Sequence, residues 1–206
     1  MSNVPLWAAN PVPLADLIKK AEAGEGAAQL ALAMRYDGND NASEKNVDQA
    51  FRWYKAAAGK NYAEAQSALG LYYMKGEGTK ADSAEGARWF EKAASQGHPV
   101  AQLNIASCYA NAEGVSRDMN AAARWYREAA ERNQPLGQYY LGILYGRGEG
   151  VPQSYIESYK WLTAAAAQGV KPAKDSLETL DSVLPPEVLE QARKAAAEIR
   201  SALVGR

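Results

Sequence analysis

The pattern that organises this chain is clearest near its C-terminal end, where residues 137–169 read GQYYLGILYGRGEGVPQSYIESYKWLTAAAAQG. The tryptophan of this stretch is the last of a series with a constant interval of 36 residues: Trp53, Trp89, Trp125 and Trp161. These are four of the five tryptophans in the chain. A fixed period of this length is typical of repeat proteins built from stacked supersecondary units.

Small residues keep the same phase as the tryptophans. Two alanines stand four and five places after each tryptophan, and the eighth place after it is Asn61, Gly97, Asn133 or Gly169. Gly and Asn tolerate the left-handed conformation that ends many helices, where other residues lose about 1–2 kcal/mol. Each tryptophan is therefore predicted to lie on a helix that ends just before one of these four residues.

A second helix signal starts four residues after Gly24 and four residues after the first three of these ends, Asn61, Gly97 and Asn133. It begins with a small residue followed by Gln, continues through Leu or Ile and then Ala or Gly, and reaches a Tyr eight places after the small residue. Spacings of four and eight put these residues on one helical face. The first helices of the predicted pairs lie near 26–37, 63–75, 99–111 and 136–147. The second helices lie near 47–59, 83–96, 119–132 and 155–168.

The ends of the chain depart from the period. Residues 1–25 are predicted to be an N-terminal segment with a capping helix, and residues 171–206 a degenerate half-repeat followed by a C-terminal capping helix. Glu178 supports this assignment, because it stands where the repeats have Ala or Gly, and a charge does not fit a tight helix contact. Repeat arrays require atypical ends of this kind. The four repeats between them are predicted near 26–61, 62–97, 98–133 and 134–169.

The repeated residues resemble the Sel-one-like repeat family, a branch of the tetratricopeptide-like solenoids. The family pattern is Ala-x-x-x-Leu-Gly-x-x-Tyr, a Gly-x-Gly-Val turn, and Ala-x-x-Trp-Tyr-x-x-Ala-Ala-x-x-Gly. Residues 65–97, 101–133 and 137–169 match it, and residues 28–61 match its helices without the Gly-x-Gly turn. The resemblance implies an all-α fold, a right-handed superhelical solenoid of antiparallel helix pairs. It also implies a scaffold or adaptor role without catalytic residues or a cofactor; many members are bacterial, and some are regulators, host-interaction factors or neutralisers of toxic effectors.

Composition narrows the possible classes of partner. The formal net charge is −1, so the chain lacks the basic field that holds a nucleic acid backbone. No stretch approaches the roughly 20 apolar residues that span a bilayer, and the N-terminus lacks the features of a signal peptide. The single cysteine forms no intramolecular disulfide, which suits a reducing compartment. We therefore expect a cytoplasmic protein, with the periplasm as the alternative if a signal peptide was removed.

Residues capable of catalysis or metal binding are few. The one histidine, His98, and the one cysteine, Cys108, are too few for a usual zinc site, and they lie ten residues apart across a helix start. The glycines at 146, 148 and 150 resemble a phosphate loop, but a helix precedes them where such a loop needs a strand. The periodic tryptophans are interpreted as packing residues. No catalytic, cofactor or metal site is predicted.

The most informative residues are those on the first helices that the repeat pattern does not require. In tetratricopeptide-like arrays these positions line the inner, concave surface, and most of them are apolar here. An exposed apolar strip of this kind marks an interaction groove, and Tyr, Met and Arg are favoured at interface cores. The alternative is that the chain buries these positions itself. The predicted partner-binding residues are Leu30, Met34, Ser67, Leu71, Met74, Lys75, Leu103, Ser107, Tyr139, Ile143 and Arg147.

These observations favour a protein-interaction module, a monomer or weak homodimer that binds a protein or peptide in the concave groove. A narrower hypothesis is an immunity-type protein that neutralises a toxin or effector. The competing class, an enzyme or small-molecule binder, requires a convergent polar pocket with paired buried carboxylates, which the sequence does not indicate.

Overall fold

A computed structural model of the chain describes residues 12–38 and 45–204, with side chains to residue 199. Over these ranges it contains eleven α-helices and no β-strand, which confirms the predicted all-α fold class. The N-terminal residues 1–11 and part of the first irregular connector, residues 39–44, lie outside the described ranges. The helices are α1 Leu14–Glu22, α2 Gly26–Tyr36, α3 Val47–Gly59, α4 Ala63–Lys75, α5 Ser83–Ser95, α6 Pro99–Asn111, α7 Met119–Glu131, α8 Pro135–Arg147, α9 Tyr155–Ala167, α10 Lys171–Val183 and α11 Pro186–Val204.

Two compact units divide the chain, residues 1–93 and 94–206. In the first unit α1 packs on α2, α2 on α3, and α3 on α4. In the second unit consecutive helices pack from α6 to α10, and α11 packs on α9. Each unit is thus a series of antiparallel helix neighbours, in which the pairs α2–α3, α6–α7 and α8–α9 correspond to predicted repeats.

Each second helix begins at an N-cap that also follows the period of 36 residues. The N-cap side chain accepts a hydrogen bond from the backbone N–H three residues later, which satisfies one of the unpaired donors of a helix start. The N-cap backbone N–H donates to the carbonyl of the repeat tyrosine near the end of the first helix, at 2.7–3.0 Å. These two bonds fix both ends of each connector. The N-caps are Asn46, Asp82, Asp118 and Ser154.

Each second helix ends as the sequence predicts. Asn61, Gly97, Asn133 and Gly169 have φ values of 67°, 82°, 61° and 90°, all in the left-handed region. A first helix then starts two residues later. The choice of Gly or Asn at these four places therefore follows from the backbone conformation that the helix ends require.

The glutamine that opens each first helix forms a bond that the sequence pattern did not reveal. Its Nε2 donates to the backbone carbonyl eight residues earlier, near the end of the preceding helix, at 3.1–3.4 Å. The four side chains are buried, and Gln138 is fully so. Each bond joins two consecutive helices and gives a second donor to a carbonyl that already accepts from the backbone N–H three residues later. The four bonds are Gln29 to Ala21, Gln66 to Ala58, Gln102 to Ala94 and Gln138 to Ala130.

Small residues allow close helix approach at the positions where the sequence predicts it. A Cβ added to Gly70 of α4 would lie 2.6 Å from the Phe90 ring of α5, and one added to Gly142 of α8 would lie 2.8 Å from Leu162 of α9. Neither neighbour leaves room for a methyl group. The small position of the repeat is therefore the contact point between the two helices of a pair.

The C-terminal helices close the second unit. Tyr159 of α9 packs with Ala192 and Ala196 of α11, while Ala173 of α10 is fully buried against Leu162. The Tyr159 hydroxyl and the Arg193 guanidinium both donate to the Asp181 carboxylate. Glu178 is exposed, so its charge stays in water as the departure from the repeat pattern suggested.

Ala112 ends α6 in the left-handed conformation, with φ 59°, whereas glycine occupies the same place after α4 and α8. We expect Ala112→Gly to raise the free energy of unfolding by about 1 kcal/mol, because glycine lacks the Cβ that makes this conformation costly. Chemical denaturation followed by circular dichroism measures the change. Ala197→Gly, on the exposed side of α11, is the matched control and should destabilise by about 1 kcal/mol. A loss of stability in Ala112→Gly would contradict the assignment of strain to this residue.

Candidate functional site

The predicted partner-binding residues of the first unit have different environments. Leu30 and Met34 are half-buried and pack against the core of the unit. Ser67 is only 3% exposed, so it offers no surface to a partner. Met74 lies against α5, where a Cβ on Gly86 would be 2.8 Å from its sulfur.

Two further predicted residues of the first unit face solvent. Leu71 is 39% exposed, which is high for a leucine in a helix interior. Lys75 is exposed at the end of α4, with its ammonium 3.9 Å from Glu77. Leu71 and Lys75 are therefore the most exposed members of the predicted strip in this unit.

In the second unit, four predicted residues line one cavity. Ser107 of α6 lies there with Tyr139, Ile143 and Arg147 of α8, and the cavity has a volume of about 440 Å³. The remaining predicted residue, Leu103, is half-buried against the core. We call this cavity the α6–α8 groove. Its lining residues are Ser107, Ala110, Asn111, Arg117, Met119, Tyr126, Tyr139, Tyr140, Ile143, Leu144, Arg147 and Glu149.

Aromatic rings form the floor and one side of the groove. Tyr126 of α7 and Tyr140 of α8 stack with ring centroids 4.9 Å apart, and Tyr139 lies 5.1 Å from Tyr140 in a tilted arrangement. Tyr126 is buried, whereas Tyr140 is 42% exposed. The repeat pattern did not single out Tyr140, because its place is occupied by Ala31, Ala68 and Asn104 in the other first helices.

Charged and polar groups occupy the groove's edge. Arg117, in the connector before α7, donates through Nε to the Ala110 carbonyl at 3.3 Å. Asn111 donates through Nδ2 to the Ser107 hydroxyl at 3.1 Å. Arg147 is the last residue of α8, and Glu149 follows in the next connector. The groove thus combines two guanidinium groups, one carboxylate and an aromatic wall.

Tyr126, the buried tyrosine of the groove, contributes no charge. Burial raises the pKa of the Tyr126 phenol above its ordinary value, and the neighbouring Tyr140 adds to the rise. A hydrogen bond with Ser107 acts in the opposite direction and does not cancel it. Tyr126 therefore stays neutral, and the net charge of the groove is set by its two arginines and its glutamate.

Cys108 and His98 do not form a nucleophilic pair. His98 caps the start of α6, where its Nδ1 accepts from the Ala101 N–H at 3.3 Å. Cys108 lies ten residues later, about 15 Å along the helix. Burial raises the pKa of the Cys108 thiol to about 11, so the thiol stays protonated. Across residues 12–38 and 45–204 no three His, Cys, Asp or Glu side chains converge in a way that could hold a metal ion.

Consecutive antiparallel helices with recurrent caps and small contact residues define an α-helical repeat protein of the helix-pair solenoid class. The Sel1 repeat model matches residues 25–62, 63–98, 99–134 and 135–170 of this chain. The chain belongs to the Sel1 repeat family, which confirms the resemblance found in the sequence. Sel1 repeat proteins generally mediate protein–protein interactions and generally act as non-catalytic scaffolds.

Solved structures with the same fold include two bacterial proteins above 30% identity. A protective antigen present in uropathogenic Escherichia coli strains, which displays an SLR fold, is 39% identical with a TM-score of 0.77. A Sel1 repeat protein from Oxalobacter formigenes is 33% identical with a TM-score of 0.73. The matches cover 82% and 81% of this chain but only 36% and 48% of those proteins. The chain therefore spans less than half the length of either relative.

A Pseudomonas aeruginosa protein is 20% identical over 92% of this chain and 73% of its own length, with a TM-score of 0.51, which shows the shared fold alone. No curated protein shows significant similarity to this chain.

None of the helices in the described part of the chain combines the length and apolar character that crossing a membrane requires.

Proposed function

We propose that this chain is a protein-interaction module that holds a protein or peptide partner in the α6–α8 groove. The observation that carries the proposal is the convergence of Ser107, Tyr139, Ile143 and Arg147, all singled out from the sequence, on one open cavity. Tyr and Arg are, together with Trp, the side chains enriched at the energetic centres of protein interfaces. The groove offers both types side by side.

The dimensions of the groove support a side-chain anchor. A volume of about 440 Å³ lies in the lower part of the range of binding pockets, which suits a few residues of a partner. Tyr139 and Ile143 are held by packing against the core cluster of Leu162, Ala165 and Ala173. Groups held in this way need little further ordering when a partner binds, which favours affinity.

In the first unit, we propose that Leu71 and Lys75 make additional partner contacts. Both are exposed, and an exposed leucine beside a cation suits the edge of a protein interface. We also propose a cytoplasmic location, since the single cysteine is buried as a protonated thiol and forms no intramolecular disulfide.

The test uses a partner isolated from native cells with the full chain as bait and then purified. We expect Arg147→Ala and Tyr139→Ala each to weaken its binding by about 10- to 100-fold in calorimetric titration. Tyr155→Ala is the matched control, because Tyr155 is 41% exposed in the same unit but lies outside the groove. Thermal unfolding of each variant shows whether the fold is retained.

Unchanged affinity in a folded Arg147→Ala variant, together with a loss in Tyr155→Ala, would place the interface elsewhere and contradict the proposal. Tyr139→Ala alone is less decisive, because Tyr139 also packs against the core.

A further inference from the structure

We propose that the α6–α8 groove takes an acidic peptide segment of the partner, one in which a carboxylate side chain lies next to a large apolar or aromatic one. This inference rests on the proposed function and names the chemistry of the partner.

The net charge of the residues that line the groove is positive. Among the described residues, neither Arg117 nor Arg147 forms an ion pair, and the one acid of the groove, Glu149, pairs with neither of them. Arginine stays protonated at all physiological pH values, and its planar guanidinium matches a carboxylate in a bidentate arrangement. Two such groups beside one glutamate leave a net attraction for a partner's acid.

Arg117 is also oriented before any partner arrives. Its Nε donates to the Ala110 carbonyl, and this bond leaves both terminal guanidinium nitrogens without a partner among the described residues. A side chain already fixed by one hydrogen bond loses less conformational freedom when it binds a second group. Arg117 is therefore suited to hold a carboxylate that enters at the edge of the groove.

The apolar half of the proposed ligand follows from the wall of the groove. Tyr126 and Tyr140 stack, and Tyr139, Ile143 and Leu144 continue the same lining. Aromatic and aliphatic side chains pack well on such a surface, while a second carboxylate would be desolvated there without a cation. The acid and the apolar group of the partner must therefore be separate side chains on neighbouring residues.

The same features disfavour a nucleic acid as the occupant. Glu149 lies within the groove and would repel a phosphate backbone, and the formal net charge of the chain is −1. Asn111 is exposed beside Ser107, and its amide carbonyl is available to a peptide N–H. These groups match a peptide better than a polyanion.

The experiment selects short random peptides by display on the immobilised full chain and measures the binding of the enriched sequences by fluorescence anisotropy. We expect enriched peptides to carry Asp or Glu within two residues of Tyr, Phe, Trp or Leu. Arg117→Gln and Arg147→Gln should each weaken their binding about 10- to 100-fold. Arg132→Gln, which removes an exposed guanidinium of the same unit outside the groove, should change it less than about twofold.

Charge reversal gives a second readout. The double variant Arg117→Glu, Arg147→Glu should enrich peptides with Lys or Arg in place of the acid. Replacing the peptide acid with its amide should weaken binding to the wild-type chain but strengthen binding to the charge-reversed variant, because the amide removes repulsion between like charges.

The outcomes separate this inference from the proposed function. Enriched peptides without acids, or acidic peptides unaffected by both Arg→Gln variants, overturn the inference. If such peptides still lose affinity in Tyr139→Ala, the groove remains the binding site and the proposed function stands. If no peptide is enriched, the groove does not take a short segment and the inference fails, while the whole-partner titration decides the proposed function independently.

Discussion

Replacement of Gly150 by alanine is expected to lower the free energy of unfolding of the second unit by about 3–5 kcal/mol. Gly150 has φ 68°, and an added Cβ would overlap the backbone carbonyl of Met119 at the start of α7. Neither group can move alone, because Met119 belongs to a regular helix and Gly150 to a short connector. The variant therefore combines the penalty of the left-handed conformation with a backbone clash.

Two other glycines are controls that separate these contributions. Gly169 has φ 90° but no atom within 4 Å of an added Cβ, so Gly169→Ala should cost only about 1–2 kcal/mol. Gly59 ends α3 with a helical backbone and open space around it, so Gly59→Ala should gain about 0.5 kcal/mol. Urea denaturation followed by circular dichroism ranks the three variants. Equal losses of unfolding free energy in Gly150→Ala and Gly169→Ala would show that a Cβ at residue 150 does not clash with the backbone of α7.

Truncation of Trp161 is the second large effect that we expect. Trp161 is 8% exposed, it belongs to the core cluster of the second unit, and its Nε1 donates to Glu157 at 3.2 Å. Trp161→Ala should cost about 3–5 kcal/mol, because the cavity left in a packed core is only partly filled by relaxation. The melting temperature and the denaturation midpoint should both fall.

Trp125 is the matched comparison in the same cluster, and its truncation should cost less. It is half-buried, and its Nε1 is buried without a hydrogen-bond partner. Trp125→Phe removes this unsatisfied donor and should be close to neutral, whereas Trp161→Phe breaks the bond to Glu157 and should cost about 1–2 kcal/mol. A larger loss for Trp125→Phe than for Trp161→Phe would contradict the assignment of an unsatisfied indole donor to Trp125.

The helices were predictable because the decisive residues are local. A left-handed backbone at Gly97 or Asn133 needs a particular residue type, and a helix contact at Gly142 needs a small one, so both leave a mark in the sequence. The predicted helix bounds differ from the observed ones by one residue or less for the eight repeat helices. The N-caps of the second helices recur with the same period of 36 residues. They were not recognised as part of the repeat pattern because the residue type varies among Asn, Asp and Ser.

The groove was less predictable because it depends on tertiary contacts. Ser67 and Ser107 both lie on first helices among the predicted positions, yet one is buried and the other lines a cavity. The environment of Met74 depends on Gly86, a residue of another helix. Arg117 enters the groove from a connector, which no helical periodicity describes. Periodicity thus identified four residues of the groove. The other residues that line it could not be identified in this way, because their positions depend on tertiary packing.

The glutamine at the start of each first helix has a consequence for how such a chain can change length. Every one of these bonds spans eight residues and joins only adjacent helices. Insertion or deletion of one complete period would leave each remaining glutamine with its original acceptor. Adding or removing whole repeats therefore preserves the hydrogen bonds between the remaining glutamines and their acceptor carbonyls. An insertion or deletion of any other size between a glutamine and its acceptor would leave a buried side-chain amide without its hydrogen-bond partner.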